Sequence, residues 1–143
     1  MNAEEAARFC AAWLPAWTGG DAARLAAFYS DDVFYADPAR PEGVTGRAAL
    51  ERYLERLLGR FPRWVWTHDR SLHLADGFVN FWTCDPGTGA APFRGVCLVH
   101  VRDGLIFRNE VFFDPAPLRE ISREGPNVRS APEEPPRSMG ASI

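Results

Sequence analysis

The order of patterns along the chain predicts an α+β fold. Apolar residues recur at three- and four-residue steps through much of the first sixty positions, the mark of amphipathic helices. From residue 63 the pattern changes to four β-rich runs joined by short turns, which reads as an antiparallel meander. Helices first and strands after make α+β rather than alternating α/β. At 143 residues the chain is long enough for one domain with one core.

Residues 3–18 open the chain as a helix. Ala6, Phe9, Cys10, Trp13 and Trp17 form one apolar stripe, and Pro15 is expected to kink or shorten the helix. The run "TGGD" stops it, and Asp21 caps a second short helix, "DAARLAAFY". A short strand, "DDVFYADP", follows, and "ARPEGVTG" reads as a loop. Gly46 to Gly59 is a helix with Ala49, Leu50, Tyr53, Leu54, Leu57 and Leu58 inward. The β-rich runs cover 63–74, 77–85, 92–102 and 104–114, separated by "ADG", "DPGTGAA" and "RDG". The folded domain is assigned to residues 1–123. Residues 124–143 are Pro-rich with few large apolar groups and are expected to be a disordered tail.

Composition excludes several classes of function. Net charge is −3, so no basic face is expected for nucleic acid. All 16 basic residues are Arg, and without Lys there is no amine for Schiff-base chemistry. Cys10, Cys84 and Cys97 are odd in number, lack CxxC spacing and read as buried thiols in a reducing compartment. No apolar run reaches the length of a membrane span, and "MNAEEAARFC" reads as an acidic helix rather than a signal peptide. A cytoplasmic protein is the expectation, with no membrane contact. His68 and His73 are five apart, on opposite faces of a regular strand, so no metal pair is expected. No cofactor motif is present.

Five Trp and ten Phe are more large rings than a small core usually needs. They favour a dense core or an apolar cavity with aromatic walls. A strongly curved sheet with helices across its concave face leaves a conical space for such a cavity. On the last strand, Phe107, Asn109, Val111 and Phe113 share one face, and Ile106, Arg108, Glu110 and Phe112 share the other. The Arg/Glu side is assigned outward. Asn109 then stands on an apolar inner wall, where a buried amide needs a partner.

Three stretches, "GGDAARLAAFYSDDVFYADP", "GVTGRAALERYLERL" and "DGLIFRNEVFFDPAPL", resemble the nuclear-transport-factor-2-like superfamily. The nearest likeness is to its SnoaL-like group, with ketosteroid isomerase and polyketide cyclase as relatives. The resemblance covers about residues 4–120. It implies a cone-shaped α+β barrel, helices packed on the concave face of a strongly curved, mostly antiparallel sheet. It also implies a homodimer through the outer sheet face. The superfamily hosts isomerases, cyclases, epoxide hydrolases, dehydratases and non-catalytic binders, so the fold alone does not fix function.

In ketosteroid isomerase the carboxylate that moves the proton ends this strand in an Asp-Pro, which here is Asp37-Pro38. A carboxylate beside an apolar cavity is a reasonable base, but it needs a group to stabilise the enolate. The isomerase's two oxyanion donors fall here on Trp13 and on Leu98 or Cys97. Leu98 and Cys97 are poor replacements, which argues against steroid isomerase activity in its known form. The epoxide-hydrolase Asp falls on Val111.

Asp37 therefore has two readings, turn-former or pocket carboxylate. Asp114 reads as a strand terminator. His100 lines the cavity if the "RDG" hairpin has a two-residue loop. With a three-residue loop and a bulge, Val99 and Val101 point inward instead. Trp64 and Trp66 are either pocket wall or an outer interface. The candidate catalytic residues are Asp37 and His100. The candidate substrate contacts are Trp13, Trp17, Phe28, Tyr35, Phe81, Leu98, Asn109, Val111 and Phe113. The candidate partner is a small apolar ring-containing carbonyl compound, handled without cofactor or metal. The rival is a non-catalytic ligand-binding or dimerising module.

Overall fold

The computed structural model of the chain describes residues 1–124. The expected disorder of the tail falls on residues 124–143, all but the first of which lie outside the described residues. Helix α1 (Ala3–Trp13) starts at Asn2, whose side chain accepts from Glu5 N while Glu5 reaches back to Asn2 N. This reciprocal capping box satisfies two otherwise orphaned amides. Pro15 acts as expected: the helix gives way to a 3₁₀ turn over Leu14–Trp17. Asp21 caps α2 (Ala22–Ala26) by accepting from Arg24 N.

Strand β1 (Tyr29–Asp37) comes next. The run expected to be a loop is instead a strand, β2 (Arg40–Thr45), pairing antiparallel with β1. Pro41 hid it in the sequence, because proline is tolerated only on a sheet edge. β2 is that edge: the sheet order is β2-β1-β6-β5-β4-β3. Helix α3 (Arg47–Arg60) buries Leu50, Tyr53, Leu54 and Leu58. The meander is β3 (Val65–Leu74), β4 (Gly77–Asp85), β5 (Phe93–Arg102) and β6 (Leu105–Phe113). β1 joins β6 in parallel, the one parallel pair among the described strands. The fold is the cone-shaped α+β class, with the helices on a curved, unclosed sheet. A further helix, α4 (Ala116–Glu124), follows β6 and was not foreseen. Asp114 opens its turn by accepting from Ala116 N.

Two β-bulges reset which residues face inward. One lies between His68 and Arg70, the other opposite His100 and Val101 on β6. A bulge inserts one residue and reverses the alternation beyond it. His68 and His73 therefore lie on the same face, against the expectation, each with its own partner: His68 Nδ1–H donates to Asn80 Oδ1 (2.6 Å) and His73 Nδ1–H to the Met1 carbonyl (2.6 Å). On β6, Phe107 is the extra residue. It moves to the outer face, and Ile106 is fully buried inside. Arg108 and Glu110 face outward and pair with each other at 2.6 Å, as expected. No helix among the described residues is long and apolar enough to cross a membrane.

Candidate functional site

The helices and the concave face of the sheet enclose a cavity of about 470 Å³. All five tryptophans of the chain line it. They touch in series: Trp13 to Trp17 at 6.3 Å between ring centroids, Trp17 to Trp66 at 5.6 Å, Trp66 to Trp82 at 4.4 Å and to Trp64 at 4.9 Å. Trp64 Nε1–H donates to the Trp17 carbonyl at 2.7 Å and ties the 3₁₀ turn to the start of β3. Trp64 and Trp66 are thus pocket wall. Gly95 leaves room for this wall, since a Cβ there would stand 2.6 Å from the Trp82 ring.

Asp37 closes one end. It is 7% exposed, and both of its oxygens are fully engaged. Oδ1 accepts from Ala39 N and Arg40 N, each at 2.9 Å, which forms the β1–β2 turn. Oδ2 accepts from Tyr35 OH at 2.8 Å and Tyr53 OH at 2.7 Å. Asp37 is turn-former and pocket carboxylate at once. Tyr35 reaches it because residues i and i+2 of a strand share a face. Tyr53 reaches it from the inner face of α3. Burial first, then the adjacent Asp37, pushes both phenols well above their usual range, so they stay protonated as donors.

The floor is different. Asn80 and Asn109 are fully buried on the inner face. Asn109 Nδ2–H donates to Tyr29 OH at 3.1 Å, yet Asn109 Oδ1 has no partner. Asn80 Oδ1 holds His68, and Asn80 Nδ2 faces the Cys97 thiol on the neighbouring strand. The indole N–H of Trp66 is also buried and unpaired, while that of Trp13 faces the Tyr29 hydroxyl. Buried polar groups are normally hydrogen-bonded, so Trp66 Nε1 and Asn109 Oδ1 stand out as exceptions. Cys97 stands opposite Asn80 on β5, with Val111 on its other side, and burial pushes its thiol well up. It is no nucleophile in that state.

The structure brings together Asp37, Trp13, Trp17, Tyr35, Asn109, Val111 and Phe113 on the cavity wall. Four candidates are not there. His100 lies on the outer face, where Nδ1–H donates to Asp76 Oδ1 at 2.8 Å. The hairpin does have a two-residue turn, Asp103-Gly104, but the bulge at Phe107 sends Val99 and Val101 inward in its place. Phe81 and Leu98 also face outward, Phe81 under the Arg70 guanidinium at 3.8 Å and Leu98 opposite Val79 and Glu110. Phe28 sits at the end of α2 against Phe9, away from the cavity. Sequence reasoning missed Tyr53, Asn80, Cys97, Leu118 and Arg119 as lining residues. Asn80 had a usable signal. It stands between Phe78 and Trp82 at the apolar parity of its strand, as Asn109 does on β6.

A family model described as a SnoaL-like domain matches residues 10–109. No curated protein matches the sequence. Among solved structures, the chain is similar to a putative isomerase from Bacillus subtilis, at 21% identity and a TM-score of 0.67, covering 84% of this chain and 94% of that one. It is similar to a protein of ketosteroid isomerase-like fold from Catenulispora acidiphila, crystallised with trimethylamine, at 19% identity and a TM-score of 0.64, covering 74% and 85%. It is also similar to TerC, co-crystallised with polyporic acid, at 19% identity and a TM-score of 0.64, covering 79% and 94%. At these identities the likeness shows the fold.

Proposed function

The chain belongs to the SnoaL-like domain family, and on that premise we propose that it binds an apolar, ring-containing carbonyl compound and moves a proton on it. The observation that carries this reading is the cavity: five tryptophans around 470 Å³, with one buried carboxylate at its end. That volume is within the range of small-molecule sites, and aromatic walls favour flat, apolar ligands. Asp37 is the acid/base group. Because Tyr53 already occupies Oδ2, Asp37 takes the proton from the carbon next to the ligand's carbonyl only when Tyr53 releases that oxygen. Trp13, Tyr35 and Asn109 orient the ligand. Isomerisation, aldol-type cyclisation and dehydration all fit this equipment and need no cofactor. A neighbour described as an isomerase and another crystallised with polyporic acid support the reading.

A second reading, a non-catalytic binding module, is favoured by the saturation of Asp37. Each of its oxygens already accepts two hydrogen bonds. No second carboxylate and no histidine lies among the described lining residues. The experiment is a thermal-shift panel of ring ketones, phenols and polycyclic carbonyls on wild type and Asp37→Asn, followed by turnover assays on the binders. A ligand at a hundred times its dissociation constant adds about 2.7 kcal/mol, which is easily read. An Asp37→Asn variant that binds and does not turn over supports the enzyme. Binding without turnover by either protein supports the module, and no binding at all sinks both.

We further propose that two copies pair through the outer sheet face. Leu72 and Phe112 stand there about half exposed, at 50% and 51%. Opposed rows of Val79–Leu98 and Phe81–Val96–Phe112 run between them. Phe112→Glu is expected to convert a dimer to a monomer in light scattering; a wild type that is already monomeric disposes of the idea.

A further inference from the structure

The cavity has an open end, and burial locates it. Among the described lining residues, Ala39, Arg60 and Arg119 are exposed, and the others are buried or half-buried. The mouth therefore lies between the β1–β2 turn, the last turn of α3 and the first turns of α4. Two of its three exposed residues are arginines, contributed by separate helices. The third charged residue of the lining is Asp37, and its carboxylate already has four donors from the protein itself. Asp114 and Glu120 belong to the same segment as Arg119 but stand outside the lining. The Arg119 side chain makes no hydrogen bond and no ion pair among the described residues. The Arg60 guanidinium lies 5.6 Å from the centre of the Phe61 ring, which is itself part of the wall. Burial and Asp37 raise the Tyr53 phenol while Arg40 and Arg56 pull against them, so further positive charge reaches this end. An apolar hole with a cationic rim is thus set in a chain of net charge −3.

From this we infer that the ligand is the anion of a ring-containing acid: its rings lie among the tryptophans, and a carboxylate on its outer edge stays at the mouth, paired with Arg119 and Arg60. This rests on the proposed function and deepens it by naming the charge of the ligand. A guanidinium presents a planar fork that matches a carboxylate. At the mouth the carboxylate keeps part of its water, so the pairing does not carry the desolvation cost of a buried ion. Long arginine stems can follow the apolar lip while their heads reach the anion. The local positive potential also draws an anion toward a chain that is negative as a whole. Arg119 and Arg60 therefore set specificity, and the tryptophan wall supplies the apolar contact.

The test compares 9-fluorenone-2-carboxylate with 9-fluorenone-2-carboxamide, which share their rings and ketone, are nearly equal in size and differ in charge. Their dissociation constants are measured by equilibrium dialysis on the full chain at neutral pH. The expected result is a preference for the carboxylate of about fivefold or more at low salt, the yield of partly exposed ion pairs. Raising the salt to about 0.5 M should cut it to about twofold or less, because exposed pairs are screened. Arg119→Gln and Arg60→Gln remove one charge each from an exposed position. Each lowers the preference about twofold or more while carboxamide binding stays within twofold. Equal affinity for the two compounds in wild type, or a preference for the carboxamide, overturns the inference and leaves the apolar-pocket reading standing. A wild-type preference for the carboxylate that survives in the Arg60→Gln/Arg119→Gln double variant also overturns it, because the charge is then read elsewhere. Binding of neither compound overturns the proposed function and this inference with it. The wild-type comparison and its salt dependence need no variant, so a variant that fails to fold leaves the test intact.

Discussion

The two ends of the cavity solve the same problem in opposite ways. Asp37 is a charged group in a nearly closed space, with four donors converging on it. The floor has neutral groups, and two of their atoms, Trp66 Nε1 and Asn109 Oδ1, have no partner. A buried carboxylate left unpaired costs far more than a buried amide or indole left unpaired. The charge therefore had to be satisfied by the protein itself, and the neutral groups did not. A polar cluster complete in the free protein supports the fold. A polar cluster incomplete in the free protein is where a ligand can contribute something new.

The sharpest way to break this contrast is to remove one side chain from each end. Asp37→Ala deletes the acceptor of two backbone amides and two phenols, and is expected to cost about 3 kcal/mol in urea unfolding. Asn80→Leu deletes a neutral group that accepts from His68 alone and is expected to cost about 1–2 kcal/mol, less than Asp37→Ala. Comparable losses from the two would erase the distinction.

Alkaline pH probes the same cluster. The chain has three tyrosines, 29, 35 and 53, and burial raises the phenol of each. An unfolded phenol releases its proton near pH 10, whereas the folded one keeps it. Above that pH the folded chain holds more protons than the unfolded chain, so stability falls as pH rises. The contribution is fully present below pH 10 and is lost toward the folded values. Cys10 and Cys84, pushed up to about 12 by burial, begin the decline from nearer pH 9. Absorbance at 295 nm should show phenolate appearing together with unfolding. Phenolate that appears near pH 10 in a chain still folded by circular dichroism contradicts the closed Asp37 cluster.

The smallest expected effect comes from outside the cavity. His100→Asn is expected to change stability by less than about 1 kcal/mol, since it alters a surface pair with Asp76 and a ring contact with Phe107. Ligand affinity should not move. A tenfold loss of binding in that variant would return His100 to the site and undo the assignment of faces on β5.

Much of the fold was legible from periodicity. The stripe of α1, the inner face of α3 and the four runs of the meander follow from apolar spacing, which depends on near neighbours. β2 was not legible, because an edge strand carrying Pro41 has a loop's composition. Neither was α4, which follows "DPAP" and has few large apolar groups. Within the site, Asn109 was visible as a polar residue at an apolar position. His100, Phe81 and Leu98 were misplaced because one bulged residue, Phe107, shifts the parity of the β5–β6 pair.

Composition and local order set the class of the molecule: helices before an antiparallel meander, a wealth of aromatic rings, a net charge of −3, and an Asp-Pro ending the first strand. Tertiary packing alone brings all five tryptophans around one cavity, joins Tyr53 on α3 to Tyr35 on Asp37, and turns Asn80 inward. Those facts depend on where bulges fall and how far the sheet curls. Both are set by the packing of strands and helices against one another, which local sequence does not encode.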